Sequence, residues 1–110
     1  MPLHNVDWES IEWTEIRAGV SRKTFSGERA TLALHRLMPG HEPRPHSHHY
    51  EQVAYILSGE VDFHVGEEVV RLKGGGVIAI PPNETHYAVV MGDEPALNLD
   101  VFIPRRPEYD

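Results

Sequence analysis

At 110 residues the chain is long enough for one domain with its own core and too short for two. A formal net charge of −7 argues against a nucleic-acid partner, whose phosphates would be repelled, and the absence of cysteine removes disulfides and thiolate metal ligation. No apolar run approaches the ~18 residues of a membrane span, and Met1-Pro2-Leu3-His4-Asn5 lacks the basic and apolar regions of a signal peptide, so a cytoplasmic protein without membrane contact is expected.

Taken in chain order, Val6 to Glu15 predicts a short helical turn or an edge strand. Strands are then predicted over Thr31 to Met38, Gln52 to Leu57, Val61 to Val65, Val69 to Leu72, Val77 to Ile80, His86 to Val90 and Leu97 to Ile103. Each is rich in β-branched and apolar residues. Turn clusters such as Pro39-Gly40, Ser58-Gly59, Gly74-Gly75-Gly76 and Pro81-Pro82-Asn83 separate them. Glu67-Glu68 reads as a solvated hairpin tip. Short strands at regular spacing with Gly and Pro punctuation predict an all-β sandwich or barrel, with no repeat, linker or low-complexity tract.

Two strands have unusual faces. In Gln52 to Leu57, Ala54 and Ile56 share the side of Gln52, while Val53, Tyr55 and Leu57 make the other side apolar too. Such a strand is covered on both sides, either by a chain terminus, with Trp8, Ile11 and Trp13 as candidates, or by a second copy in a homodimer. In the last strand the odd positions are all apolar and the even ones present Asn98, Asp100 and Phe102 together. A carboxylate beside an aromatic ring on a cavity wall is a candidate acid or base next to a sugar-stacking or water-excluding surface; the alternative is a solvated surface face.

The chemistry is concentrated in Pro45-His46-Ser47-His48-His49-Tyr50-Glu51-Gln52, answered by His86. Alternation along a strand gives His46, His48 and Gln52 one parity and Glu51 and His49 the other. With His86 from a neighbouring strand, three imidazoles and an amide oxygen close on one divalent ion, for which nickel, zinc, iron, manganese and cobalt all remain open. The alternative for Gln52 is an amide beside the site, with Glu51 reaching the ion through a bulge. His4, His35, His41, His49 and His64 read as surface residues or neighbours of the site, and Pro43 and Pro45 as stiffeners of its approach.

The two blocks resemble the paired motifs of the cupin superfamily, G-x5-H-x-H-x3-E-x6-G and G-x5-P-x-G-x2-H-x3-N. Gly40, His46, His48 and Gly59 match the first, and Gly75, Pro81 and His86 the second. Gln52 replaces the usual carboxylate, Asn83 a turn glycine and Val90 the final asparagine. Asn adopts left-handed backbone angles almost as glycine does, so the turn is expected to survive. The resemblance implies a single-domain jelly-roll barrel, a double-stranded β-helix, over residues 1–110. Within the superfamily, His46 to Gln52, Gly59-Glu60, Pro81 to His86 and Asp100-Val101-Phe102-Ile103-Pro104-Arg105-Arg106 are similar to the KdgF family of pectin-degradation cupins. Carried over by position, that resemblance implies metal ligation by His46, His48, Gln52 and His86, and roles in turnover for Asp100 and Phe102. It implies a substrate-carboxylate contact for Arg106, with Arg105 able to do the same job and a surface arginine at a fraying terminus as the alternative.

The implied reaction is linearisation of 4,5-unsaturated uronates, small anionic sugars. Opening the ring at C1 leaves an enol on C5 that becomes a ketone when C4 gains a proton. A neutral amide in place of a carboxylate leaves the ion's full charge for a Lewis-acid role, which ranks this non-redox chemistry above that of a metal-dependent dioxygenase. A non-catalytic sugar-binding or sensor cupin is the other alternative.

Overall fold

The computed structural model describes residues 3–110, which form nine strands. They are β1 (Thr14–Arg17), β2 (Val20–Ser26), β3 (Thr31–Leu37), β4 (Glu51–Ser58), β5 (Glu60–Val65), β6 (Glu68–Lys73), β7 (Val77–Ile80), β8 (His86–Val90) and β9 (Ala96–Ile103). Single 3-10 turns at Trp8–Ser10 and Pro107–Tyr109 flank them. All pairings are antiparallel, in a six-stranded sheet of order β1-β2-β3-β9-β4-β7 and a three-stranded sheet of order β6-β5-β8. Among the described residues no helix is long and apolar enough to cross a membrane.

Register places side chains of the large sheet's inner face in rows. Val20, Leu37 and Ala96 form one row, Arg22, His35, Asn98 and Ile56 the next, and Thr24, Ala33, Asp100 and Ala54 the third. The first row, with Ala54 and Ile56, packs on Val61, Phe63 and Val90 of the small sheet to make the main core. At the other end Ala33, Tyr50 and Phe102 form a second cluster, closed by Tyr109. Between the two, the inner face is polar, and that gap holds the site.

The predicted strands from Thr31 onward all form, with ends displaced by a residue at most. The N-terminal region differs. The turn at Trp8–Ser10 and the edge strand β1 both occur, the strand beginning at Thr14. Strand β2 was not expected, because Ser21, Arg22 and Lys23 interrupt its apolar alternation. They are accommodated because Arg22 faces the polar gap while Lys23 is covered from the other side. Lys23 Nζ donates to Trp8 O at 2.9 Å and lies 4.7 Å from the Trp13 ring centroid, and the Arg36 guanidinium lies 4.5 Å from the same ring. Cation–π attraction thus anchors Trp13 near β2 and β3, and the Lys23 hydrogen bond holds Trp8 there. They do not cover the outer side of β4, one of the two alternatives: Tyr55 and Leu57 remain exposed.

Gly59, in the turn from β4 to β5, has φ +84, and a Cβ there would stand 2.7 Å from Ala96 Cα and 2.8 Å from Pro95 O. Left-handed backbone and collision together predict that Gly59→Ala lowers stability by about 2–3 kcal/mol, read as a lower urea midpoint at unchanged slope.

Candidate metal centre

The segment before β4 is irregular, so the parity expected from one continuous strand does not apply to it. His46 is instead fixed by a two-residue bridge to His86, with His46 N donating to His86 O at 3.1 Å and His86 N to His46 O at 2.9 Å. Gln52 belongs to the large sheet and His86 to the small one, so the site spans the gap between sheets rather than two neighbouring strands. Asn83 adopts the expected left-handed conformation, φ 67, and its N–H donates to His48 O at 2.7 Å, tying the turn before β8 to the histidine loop.

One ring nitrogen from each of His46, His48 and His86 falls within 4.8 Å of the others. Backbone carbonyls decide which nitrogens meet. The Nδ1 atoms of His46, His48 and His86 lie 2.8, 2.9 and 2.9 Å from the carbonyl oxygens of Arg44, Tyr50 and Glu84. A carbonyl only accepts, so each Nδ1 carries a proton, and in the neutral ring each Nε2 then offers a lone pair. Burial, reinforced by the neighbouring imidazoles, pushes His46 and His86 below the ordinary histidine value, favouring the neutral form that ligates metals.

The Gln52 amide oxygen faces the same nitrogens. Gln52 Nε2 donates to Asp100 Oδ1 at 2.7 Å, which turns Oε1 to within 3.1 Å of His48 Nε2 and 3.2 Å of His86 Nε2. Acceptors therefore face one another with no hydrogen between them. Such a cluster is answered by a cation, and a neutral set of three nitrogens and one oxygen fits a divalent transition ion. Glu51 is exposed and in register with Ile103 on the outer face, so it takes no part.

Strand β9 turns Asn98, Asp100 and Phe102 inward, and Asp100 is only 4% exposed, which excludes the solvated alternative. Phe102 stands edge-on to the His48 ring with centroids 5.5 Å apart. Asp100, Phe102 and Arg106 join His46, Gln52 and His86 around one cavity of about 450 Å³, while His48 lies behind them against Phe102. The two C-terminal arginines separate clearly. Arg106 reaches the cavity with its guanidinium 4.1 Å from the Tyr109 ring centroid and 4.7 Å from that of Phe102, whereas Arg105 pairs with Asp110 away from it. Hydrogen bonds tie this end to the sheet: Thr24 Oγ1 donates to Tyr109 O at 3.0 Å and Arg106 N to Thr31 Oγ1 at 2.9 Å.

Arg17, Arg22 and Arg44 also line the cavity, and Asp100 is its one carboxylate among the described residues. A net-negative chain thus concentrates positive charge here. Arg17, Arg22 and Arg44 are cavity residues that the sequence reading did not single out, and His35, read as a surface residue or a neighbour of the site, is the latter. Thr31, Ala33, His35 and Leu37 share a parity that marks His35 as inward-facing, but Arg22 sits on a strand with no apolar signature.

The cupin domain family matches residues 33–102. The chain belongs to the cupin family. Over 104 residues this cupin is 30% identical to the pectin degradation protein KdgF of Dickeya dadantii (strain 3937), across 92% of this chain and 93% of that protein. It is 31% identical over 100 residues to the acireductone dioxygenase of Bacillus pumilus (strain SAFR-032), across 86% of this chain but 55% of that longer protein. The solved structure of KdgF from Halomonas sp. superposes with a TM-score of 0.84 at 24% identity, across 91% of this chain and 94% of that one, a likeness of fold.

The acceptor cluster predicts one divalent ion per chain by elemental analysis. An ion at about a hundred times its dissociation constant adds about 2.7 kcal/mol of stability. Thermal melts with and without a chelator should show that shift in the wild type and lose it in His48→Ala and His86→Ala.

Proposed function

We propose that this cupin is a cytoplasmic, metal-dependent enzyme that opens 4,5-unsaturated monouronates from pectin or alginate breakdown to linear 5-keto-4-deoxyuronates. The observation that carries the reading is the convergence, in one cavity of a net-negative chain, of the acceptor cluster, a buried carboxylate and four arginines. Similarity to KdgF over nearly the whole chain supports the same choice.

The reaction exchanges no electrons with a cofactor. It needs negative charge on oxygen stabilised, the substrate carboxylate oriented and one proton moved from the C1 hydroxyl, released as the ring opens to the aldehyde, to C4. A divalent ion held by His46, His48, Gln52 and His86 would supply Lewis-acid stabilisation of the oxygen. Arg106, braced by the Tyr109 and Phe102 rings, offers a planar fork for the carboxylate. A carboxylate has about four acceptor positions, and Asp100 uses three of them, for His35, Gln52 and Asn98. The position left on Oδ2 is the one we assign to the proton in transit. Phe102, 1% exposed, excludes water beside it and holds the His48 ring.

The similarity to an acireductone dioxygenase favours oxygen chemistry as a second reading. The neutral Gln52 counts against it, since a carboxylate would better stabilise the higher oxidation states involved. Oxygen uptake by iron-loaded protein discriminates the two.

We further propose a homodimer through the outer face of the large sheet. There Tyr55, Leu57, Val77, Leu99, Val101 and Ile103 form an apolar surface, with Tyr55 at 41% and Ile103 at 57% exposure. A continuous patch of this kind suits a second copy of itself across a two-fold axis. Light scattering is expected to give twice the chain mass, reverting to the monomer in Tyr55→Glu; a wild-type monomer at micromolar concentration rejects it.

Incubation with unsaturated galacturonate is expected to speed loss of the conjugated double bond's ultraviolet absorbance, with equal decay in the absence of protein as the refuting result. Removing a hydrogen bond to a charged group costs about 1.5–3 kcal/mol, so Arg106→Met should lower kcat/KM by about 10- to 100-fold.

A further inference from the structure

We propose that a hydrogen-bonded chain, Arg22 to His35 to Asp100 to Gln52, holds the Gln52 amide oxygen toward the three histidines, making Arg22 and His35 positioning residues for the metal centre. The inference rests on the metal reading above and adds what keeps that site in a receptive state.

The chain crosses four adjacent strands, β2, β3, β9 and β4. Arg22 and His35 are direct cross-strand partners, His35 and Asp100 are diagonal neighbours, and so are Asp100 and Gln52. Arg22 Nε donates to His35 Nε2 at 3.0 Å. A guanidinium has only donors, so Nε2 is bare and the His35 proton sits on Nδ1, 2.9 Å from Asp100 Oδ2. Asp100 Oδ1 then receives Gln52 Nε2 at 2.7 Å and Asn98 Nδ2 at 3.0 Å. Arg22 is itself fixed by Tyr109, whose hydroxyl accepts from Nη2 at 2.9 Å and whose ring centroid lies 3.8 Å from Cζ. Every donor in the sequence is determined, and the direction cannot invert at an end that has no acceptor.

This direction opposes what the metal-free site would otherwise do. A flipped Gln52 amide could donate its NH2 to the bare Nε2 atoms of His48 and His86, satisfying the acceptors and blocking an ion. The flip would turn Oε1 onto Asp100 Oδ1, oxygen against oxygen, so Asp100 prevents it, and His35 with Arg22 keeps Asp100 in place. The donation also draws electron density onto the amide oxygen. Where the cupin pattern carries a carboxylate ligand, this chain has an amide with a carboxylate directly behind it.

Two readouts test the chain without relying on turnover. In metal-free, 15N-labelled protein the Gln52 side-chain NH2 pair is identified by its loss in Gln52→Met, and Co(II) affinity is measured by chelator competition together with the visible spectrum. His35→Leu and Arg22→Met are expected to move the NH2 resonances, alter the Co(II) spectrum and weaken Co(II) about tenfold. His35→Asn, which keeps a donor toward Asp100, should recover most of that loss. Resonances, spectrum and affinity unchanged within twofold in folded His35→Leu and Arg22→Met overturn the proposal; if the leucine variant does not fold, Arg22→Met decides alone. A wild type that binds no Co(II) overturns the metal reading instead, while the Gln52 resonances still report whether the chain orients the amide.

Discussion

The hydrogen bond from the Gln52 amide to the buried Asp100 carboxylate is the contact on which the site depends. It fixes which end of the amide meets the imidazoles, and so turns four side chains with flexible roles into a set of converging acceptors. The three histidines are treated in the same way, each with its Nδ1 proton committed to a backbone carbonyl close in sequence. Local backbone geometry therefore sets the tautomers, and one long-range contact sets the amide. Asp100 both orients the Gln52 amide and is the proposed proton carrier, and both follow from its being the one carboxylate among the described residues of the cavity.

The polar gap has a structural cost that the sandwich handles by dividing its core. Strand β9 carries its polar residues Asn98 and Asp100 inward, between Ala96 and Phe102, and turns the apolar Leu97, Leu99, Val101 and Ile103 outward. The main core lies at one end, around Ile56, Val61 and Phe63, and the aromatic cluster of Tyr50, Phe102 and Tyr109 closes the other. Between them Asp100 is flanked in register by Ala33 and Ala54, both fully buried and small enough to leave it room. The apolar surface displaced to the outside then becomes available to a second copy of the chain.

Electrostatics give the cavity its preference. The chain as a whole is acidic, yet arginines from β1, β2, the histidine loop and the C-terminal segment turn toward one volume. A small anion is attracted into that volume, where low-dielectric walls strengthen the interaction. Stacking of Arg106 on Tyr109 and Phe102 holds a planar donor at the wall of the cavity that Asp100 also lines, an arrangement suited to a carboxylate.

Much of this is legible in the sequence. Strand periods, the glycine and proline turns, the histidine spacing, the left-handed Asn83 and the inward parity of Asn98, Asp100 and Phe102 all follow from local rules, because alternation and turn preference act over a few residues. The split of the site between two sheets, the tautomers, the separation of Arg106 from Arg105 and the recruitment of Arg22 and His35 were settled only by tertiary structure. Arg22 lies 78 residues from Asp100 in the chain but two strands from it in the sheet. Sequence by itself determined which residue types could ligate an ion and in what pattern. Only the pairing of β2, β3, β9 and β4 decided which donors and acceptors meet, because cross-strand register is a property of the folded sheet and not of any one segment.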